Sequence, residues 1–184
     1  MIRSIAIAAA LSAAAIPMTA AASPAFDEFQ AVCWGTSDDY VAALKAADTS
    51  GWHETDVTAP DEPGVSVTDK AAREKAVDGG GRLTLLISRG LRHLSTGDVK
   101  VTTCKLSYNR PDPSLISAGQ AWVGGAPDGG DATLAIFYVG LSSGKPDHVG
   151  KAGMAAALTG PGLSILKFQQ DSDSSIVVEQ SYSK

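Results

Sequence analysis

The segment GRLTLLISRGLRHLSTGDVKVTTCKLSY, residues 81–108, decides the fold. In its first part Leu83, Leu85 and Ile87 alternate with Thr84, Leu86 and Ser88. In its last part Val99, Val101 and Thr103 alternate with Cys104, Leu106 and Tyr108. A period of two sends successive side chains to opposite faces of a β-strand. Arg82–Ser88 and Val99–Tyr108 are therefore expected strands, with Leu86 and Leu106 making both partly two-sided. The residues between them end in Ser95-Thr96-Gly97-Asp98, a turn-forming run. An antiparallel pair is the simplest connection.

Toward the C-terminus, Asp112-Pro113 places a cap before a proline and opens a helix. Leu115, Ile116 and Trp122 form its buried side, and it ends before Gly124-Gly125. Ala126–Gly130 is a loop. Ala132–Val139 is apolar on both faces, which predicts a central strand. Asp147 is the expected cap of a helix reaching Leu158, with Met154, Ala155 and Leu158 inward and Gly160-Pro161-Gly162 as its stop. Leu163–Gln170 and Ser174–Tyr182 make a hairpin around Asp171-Ser172-Asp173. Its second strand ties down the end of the sequence.

Toward the N-terminus, Phe26, Phe29, Val32 and Trp34 form an apolar segment that packs on the core. A helix is expected after Thr36 or Ser37 as cap, with Tyr40, Val41, Leu44 and Ala47 on one face and Ser50-Gly51 at its end. Trp52 follows as a lid residue. Residues 55–69 hold Pro60, Pro63 and Gly64 and read as a connector with a short strand at Val65–Thr68. Asp69 caps a brief helix over Lys70–Val77, ended by Gly79-Gly80-Gly81. The fold class expected from this order is α+β: a mostly antiparallel sheet of about five strands, two to four helices packed on one face, and one disulfide.

That disulfide follows from the first 22 residues. Arg3 is a positive n-region, Ile5 to Ile16 is an uncharged Ala-rich stretch, Pro17 breaks it, and Ala20-Ala21-Ala22 is a small-residue cleavage site. This is the layout of a secretory signal peptide. Residues 1–22 are thus the expected signal peptide, and residues 23–184 a single α+β domain. The leader run is rich in Ala and interrupted by Pro17, Thr19 and Ser23, so stable membrane insertion after cleavage is not expected. A periplasmic or secreted location puts Cys33 and Cys104 where thiols oxidise, and the two pair as one bridge. That bridge joins the region of the first helix to the second strand of the hairpin.

Charge is unevenly spread. Residues 23–81 hold 12 acids and 4 bases, residues 82–110 hold 6 bases and one acid, and residues 111–184 hold 7 acids and 4 bases. Net acidity and compartment exclude a nucleic-acid partner. The basic hairpin at 82–110, with Arg89, Arg92 and His93 placed in its turn, is the candidate binding element. A pair of guanidinium groups suits planar oxyanions through bidentate hydrogen bonds. The plainer interpretation is charge balance, with these bases facing the acidic first third.

No catalytic motif is assembled locally. His53, His93 and His148 lack the spacing of metal ligands, and no cofactor or metal is expected. There is no G-x-S-x-G elbow. The triplet Ser88, His93 and Asp98 within one hairpin would need unusual geometry. Asp128-Gly129-Gly130-Asp131 and Asp171-Ser172-Asp173 lack the ligand set of a calcium loop and read as solvated turns. The few aromatic residues give no obvious sugar platform. The expected function is a non-enzymatic periplasmic binding or interaction module, with an envelope protein or an anionic envelope ligand as partner. The alternatives are an envelope hydrolase with a site assembled in space, and a structural or stress-related envelope protein.

Overall fold

The computed structural model describes residues 23–36, 39–56, 63–95, 97–140, 144–160 and 162–183. The expected leader, residues 1–22, lies outside the described residues, as do Ser37 and Pro161. The helices are α1 (Pro24–Val32), α2 (Tyr40–Thr49), α3 (Leu115–Val123) and α4 (Gly150–Thr159). The strands are β1 (His53–Glu54), β2 (Ser66–Val77), β3 (Gly81–Leu94), β4 (Gly97–Tyr108), β5 (Gly129–Gly130), β6 (Leu134–Gly140), β7 (Asp147–His148), β8 (Leu163–Gln170) and β9 (Ser175–Ser183). All strand pairs are antiparallel, in the order β1-β2-β3-β4-β9-β8-β6-β5, with β7 also paired to β6. The α+β class is as expected. Because β1, β5 and β7 have two residues each, six longer strands carry the sheet.

Five of those six are the predicted strands; the sixth, β2, replaces the predicted helix over Lys70–Val77. Lys70, Ala71, Ala72, Arg73, Glu74, Lys75 and Ala76 are all good helix formers or neutral ones, and tertiary pairing overrides that preference. β2 pairs with β3 from Ser66↔Leu91 to Val77↔Gly81, with a bulge between Val67 and Asp69. Only β1 covers its outer side, opposite Arg73 and Glu74. Charged side chains suit such a nearly bare edge, because they discourage pairing with another chain. Two of them also fasten the helices. Arg73, 9% exposed, donates from Nε to Asp48 of α2 at 2.8 Å. Lys75 donates to Glu28 of α1, which also accepts from the Trp52 indole at 3.2 Å.

Alternation gives the sheet two unlike faces. On one, Leu83, Leu85 and Ile87 of β3, Cys104 and Leu106 of β4, Val177 of β9, Leu166 and Phe168 of β8 and Phe137 of β6 form the main core. The register places Ile87, Cys104, Glu179, Leu166 and Phe137 in one row across five strands. α1 seals this face with Ala25, Phe26, Phe29 and Val32, α2 with Ala43 and Ala47, and α3 with Leu115 and Val123. Full burial of each large apolar side chain contributes roughly 1.5–3 kcal/mol. α3 lies close because Gly119 faces Phe168, where an added Cβ would sit 2.8 Å from the ring. On the opposite face Val99, Val101 and Tyr182 form a smaller cluster, against which Leu158 of α4, Ile165 and Val65 pack.

Several local expectations change. The apolar segment after Ser23 is itself a helix, capped by the Ser23 hydroxyl accepting from the Phe26 N–H. α2 is capped by Asp39; Ala47 is buried and Tyr40 and Leu44 pack against the core as expected, but Ala43 is buried as well and Val41 is 62% exposed. The strand at Leu134–Gly140 is not central; it lies one short strand from the edge. Its two-sided apolar pattern reflects α4 packing beside it as well as the main core. Asp147 belongs to β7 and does not cap α4, whose buried residue is Ala157, with Ala155 exposed. Trp52 is a core residue, as expected.

The disulfide joins Cys33, at the C-terminal cap of α1, to Cys104 in the middle of the sheet. Its 71-residue separation restricts the unfolded chain, which in the chain-entropy treatment is worth about 4 kcal/mol. The Cys33→Ser/Cys104→Ser double variant should therefore lose up to about 4 kcal/mol in urea unfolding followed by far-ultraviolet circular dichroism. An unchanged midpoint would show that the bridge is energetically idle.

Candidate functional site

The helical layer is shorter than the sheet. It stops at the start of α2, so the core-facing side of β3 and β4 is open beyond Ile87 and Cys104. There the buried pattern of β3 gives way to exposed Arg89, Leu91 and His93. The opening is a cleft of about 570 Å³. Its floor is Arg89 and Leu91 of β3, Lys100 and Thr102 of β4 and Ser183 of β9, with Thr68 on one side and Asp39 and Tyr40 on the other.

Two cations give the cleft its character. The Arg89 Nε donates to Asp69 Oδ2 at 2.6 Å, and its guanidinium carbon lies 5.1 Å from the Tyr40 ring centroid. The terminal nitrogens of Arg89 have no hydrogen-bond partner among the described residues, and neither does the Lys100 ammonium. The hydrogen bond from Arg89 holds the Asp69 carboxyl below the usual carboxylate value, and Asp69 in turn raises Arg89. Burial pushes the Tyr40 hydroxyl up, helped by the Asp69 charge. The Asp39 carboxylate is occupied at the head of α2, where Oδ1 accepts from the Val41 and Ala42 N–H groups at 3.0 Å.

Thr102 is paired with Ser181, and Ser181 with Ser164, so a polar row leads from the cleft under the helices. Ser164 and Ser181 are buried, and their hydroxyls lie 2.8 Å apart. Both donate toward Oε1 of Glu179, at 3.0 and 3.2 Å. Glu179 is 1% exposed and sits next to Cys104 in the central row. Its place in the polar run Glu179-Gln180-Ser181, after Ile176-Val177-Val178, gave no sign of such burial.

The expected trio of Arg89, Arg92 and His93 does not converge. All three lie within β3, because the strands run on to Leu94 and Gly97 and leave a tight turn. Adjacent strand positions point oppositely, so Arg92 is on the other face from Arg89 and the two make no guanidinium pair. Arg92 donates to the Tyr182 hydroxyl at 3.1 Å and to the Pro63 carbonyl at 3.3 Å. His93 pairs with Asp98 across the hairpin at 2.6 Å. Arg89 and Arg82 do meet acids of the first third, Asp69 and Glu74, as charge balance requires. Lys100 shares the face and the cleft with Arg89, but only the register reveals it: Leu91 pairs with Lys100 and Arg89 with Thr102.

His53 is exposed on β1, and His148 meets Asp128; no histidine lines the cleft. Among the described residues no group of three or more His, Cys, Asp or Glu side chains is placed to hold a metal ion. No described helix is long and apolar enough to cross a membrane. No protein-family profile, curated protein or solved structure matches the chain.

Asp128, read as part of a solvated turn, is instead a structural anchor. Its Oδ2 accepts from the Tyr138 N–H at 2.9 Å and contacts His148 Nε2 at 2.8 Å, while Oδ1 accepts from Lys151 at the head of α4 at 3.3 Å. Burial alone would push this carboxyl up; the Tyr138 N–H, the His148 ring and the Lys151 N–H outweigh it and hold it below the ordinary aspartate value of 3.8. A carboxyl lowered by folding stabilises the protein above its unfolded pKa and loses that contribution as pH falls through its folded pKa. Asp128→Asn should therefore cost on the order of 1–2 kcal/mol at pH 7. The gap from the wild type should narrow as pH drops below 3.8, measured by thermal unfolding across a pH series. A pH-independent gap would contradict this role.

Proposed function

We propose that the protein is an exported, non-enzymatic binding module of the bacterial envelope. Its ligand carries carboxylate or phosphate groups and is held in the cleft by Arg89 and Lys100. The observation that carries this proposal is the pair of cations with unused donors at one opening of the sheet. With Nε fixed by Asp69, the two terminal nitrogens of Arg89 form a preset fork for a planar oxyanion. Lys100 adds a movable charge, and Thr68, Thr102 and Ser183 add hydroxyl groups that can donate or accept. Export is supported by the leader-like residues 1–22 and by a formed disulfide, the mark of oxidising compartments. A hydrolase is less well supported, because the cleft offers no histidine to activate a nucleophile.

Titration with inorganic phosphate and with citrate, followed by amide chemical shifts, tests the proposal. Shifts should concentrate at residues 89–91, 100–102 and 183 and weaken with added salt. Arg89→Ala and Lys100→Ala should each reduce affinity about tenfold or more. Asp69→Asn, which removes the competing carboxylate, should raise affinity. Shifts that are absent, or that survive both alanine variants, would overturn the assignment.

A further inference from the structure

A second recess lies on the helical side of the molecule, apart from the basic cleft. It is a shallow groove of about 710 Å³ between α1, Trp34, α3 and residues 144–145. Trp34 and Trp122 lie side by side in it, with ring centroids 4.9 Å apart and planes at 86°. Phe26 and Phe29 also meet the Trp122 indole edge-to-face, at 5.5 and 6.0 Å, so its orientation is fixed by three rings. The Trp34 N–H is already taken by the Gly144 carbonyl. The Trp122 N–H has no partner among the described residues, although the side chain is half-buried. Asp27, Gln30 and Ala31 of α1 and Gly144 and Lys145 complete its lining.

A rigid indole with an open donor, lined also by an alanine methyl and by polar side chains, matches one ligand chemistry closely. A pyranose ring has apolar C–H faces and a circumference of hydroxyl groups, and an acetamido substituent adds a methyl group beside an amide. The C–H face suits the indole, the methyl suits Ala31, and the amide and hydroxyls suit Gln30, Asp27 and the Trp122 N–H. We propose that this groove binds an oligosaccharide containing N-acetylated amino sugars. The site is separate from the anion cleft and does not rest on it.

The indole N–H signals of Trp34, Trp52 and Trp122 provide the test. On titration with an N-acetylglucosamine tetramer to about 1 mM, a range where weak complexes form, the Trp122 indole signal should move. The Trp52 signal, already bonded to Glu28, should stay in place. Ala31→Arg, at an exposed position of α1, should weaken binding at least tenfold while leaving the unfolding midpoint unchanged. Trp122→Phe, which keeps an aromatic ring in the cluster, should also weaken it. Arg89→Ala/Lys100→Ala should leave it intact. An unmoved Trp122 signal, or binding that survives Ala31→Arg, overturns the site. Equal binding of a maltose-type tetramer overturns the amino-sugar assignment.

Discussion

The seating of α1 on the middle of the sheet is the contact on which the remaining structure depends. Phe29, Val32 and Cys33 are fully buried beneath it, and Cys33 is bonded to the central strand residue Cys104. α1 touches α2, α3, β4 and β9, so it positions the other two helices of the main face. Its N-terminus is fixed as well. The Ser23 hydroxyl donates to Asp112, whose carboxylate also organises the turn before α3 through Ser114. One helix thereby links the start of the described chain, the disulfide and the start of α3. Hydrophobic burial supplies the drive for this seating, and the covalent bond limits how far it can open.

The same helical layer decides where binding chemistry is available. Where it covers the sheet, polar side chains on that face turn to one another, as the Ser164 and Ser181 hydroxyls do toward Glu179 Oε1. Burying a polar group costs free energy unless it is hydrogen-bonded, so these two serines offset part of the cost of placing Glu179 there. Where the layer stops, the same face carries Arg89, Lys100 and Thr102 into solvent. Covered and open regions are thus successive rows of one register, and their difference is set by the length of α2 and its cap at Asp39.

Five long strands and the disulfide could be read directly because their signals are plain in the sequence: alternation, turn residues, and two cysteines behind a leader-like stretch. β2 could not. Its Lys, Arg, Glu and Ala content favours a helix in isolation, and only pairing with β3 and contacts to Asp48 and Glu28 make it a strand. The site was half legible. Arg89 stood out as a base in a hairpin, but whether it joins Arg92 or Lys100 depends on how far the strands extend before they turn. β3 runs on to Leu94 instead of stopping at Ser88, which moved the whole set out of the turn and split it between faces. The Trp34–Trp122 contact leaves no trace in sequence, because it is made by packing between segments far apart in the chain.

β9 lies between β4 and β8, and among the described strands it alone joins the two halves of the sheet. Every residue from Ser66 to Gln170 must exist before that gap can close, and until β9 arrives β4 and β8 each present a bare row of amide and carbonyl groups. A chain made from its N-terminus cannot complete this architecture while still being synthesised up to β8. Until β9 docks, those two edges stay open to pairing with other chains, which is the hazard that unpaired strands carry.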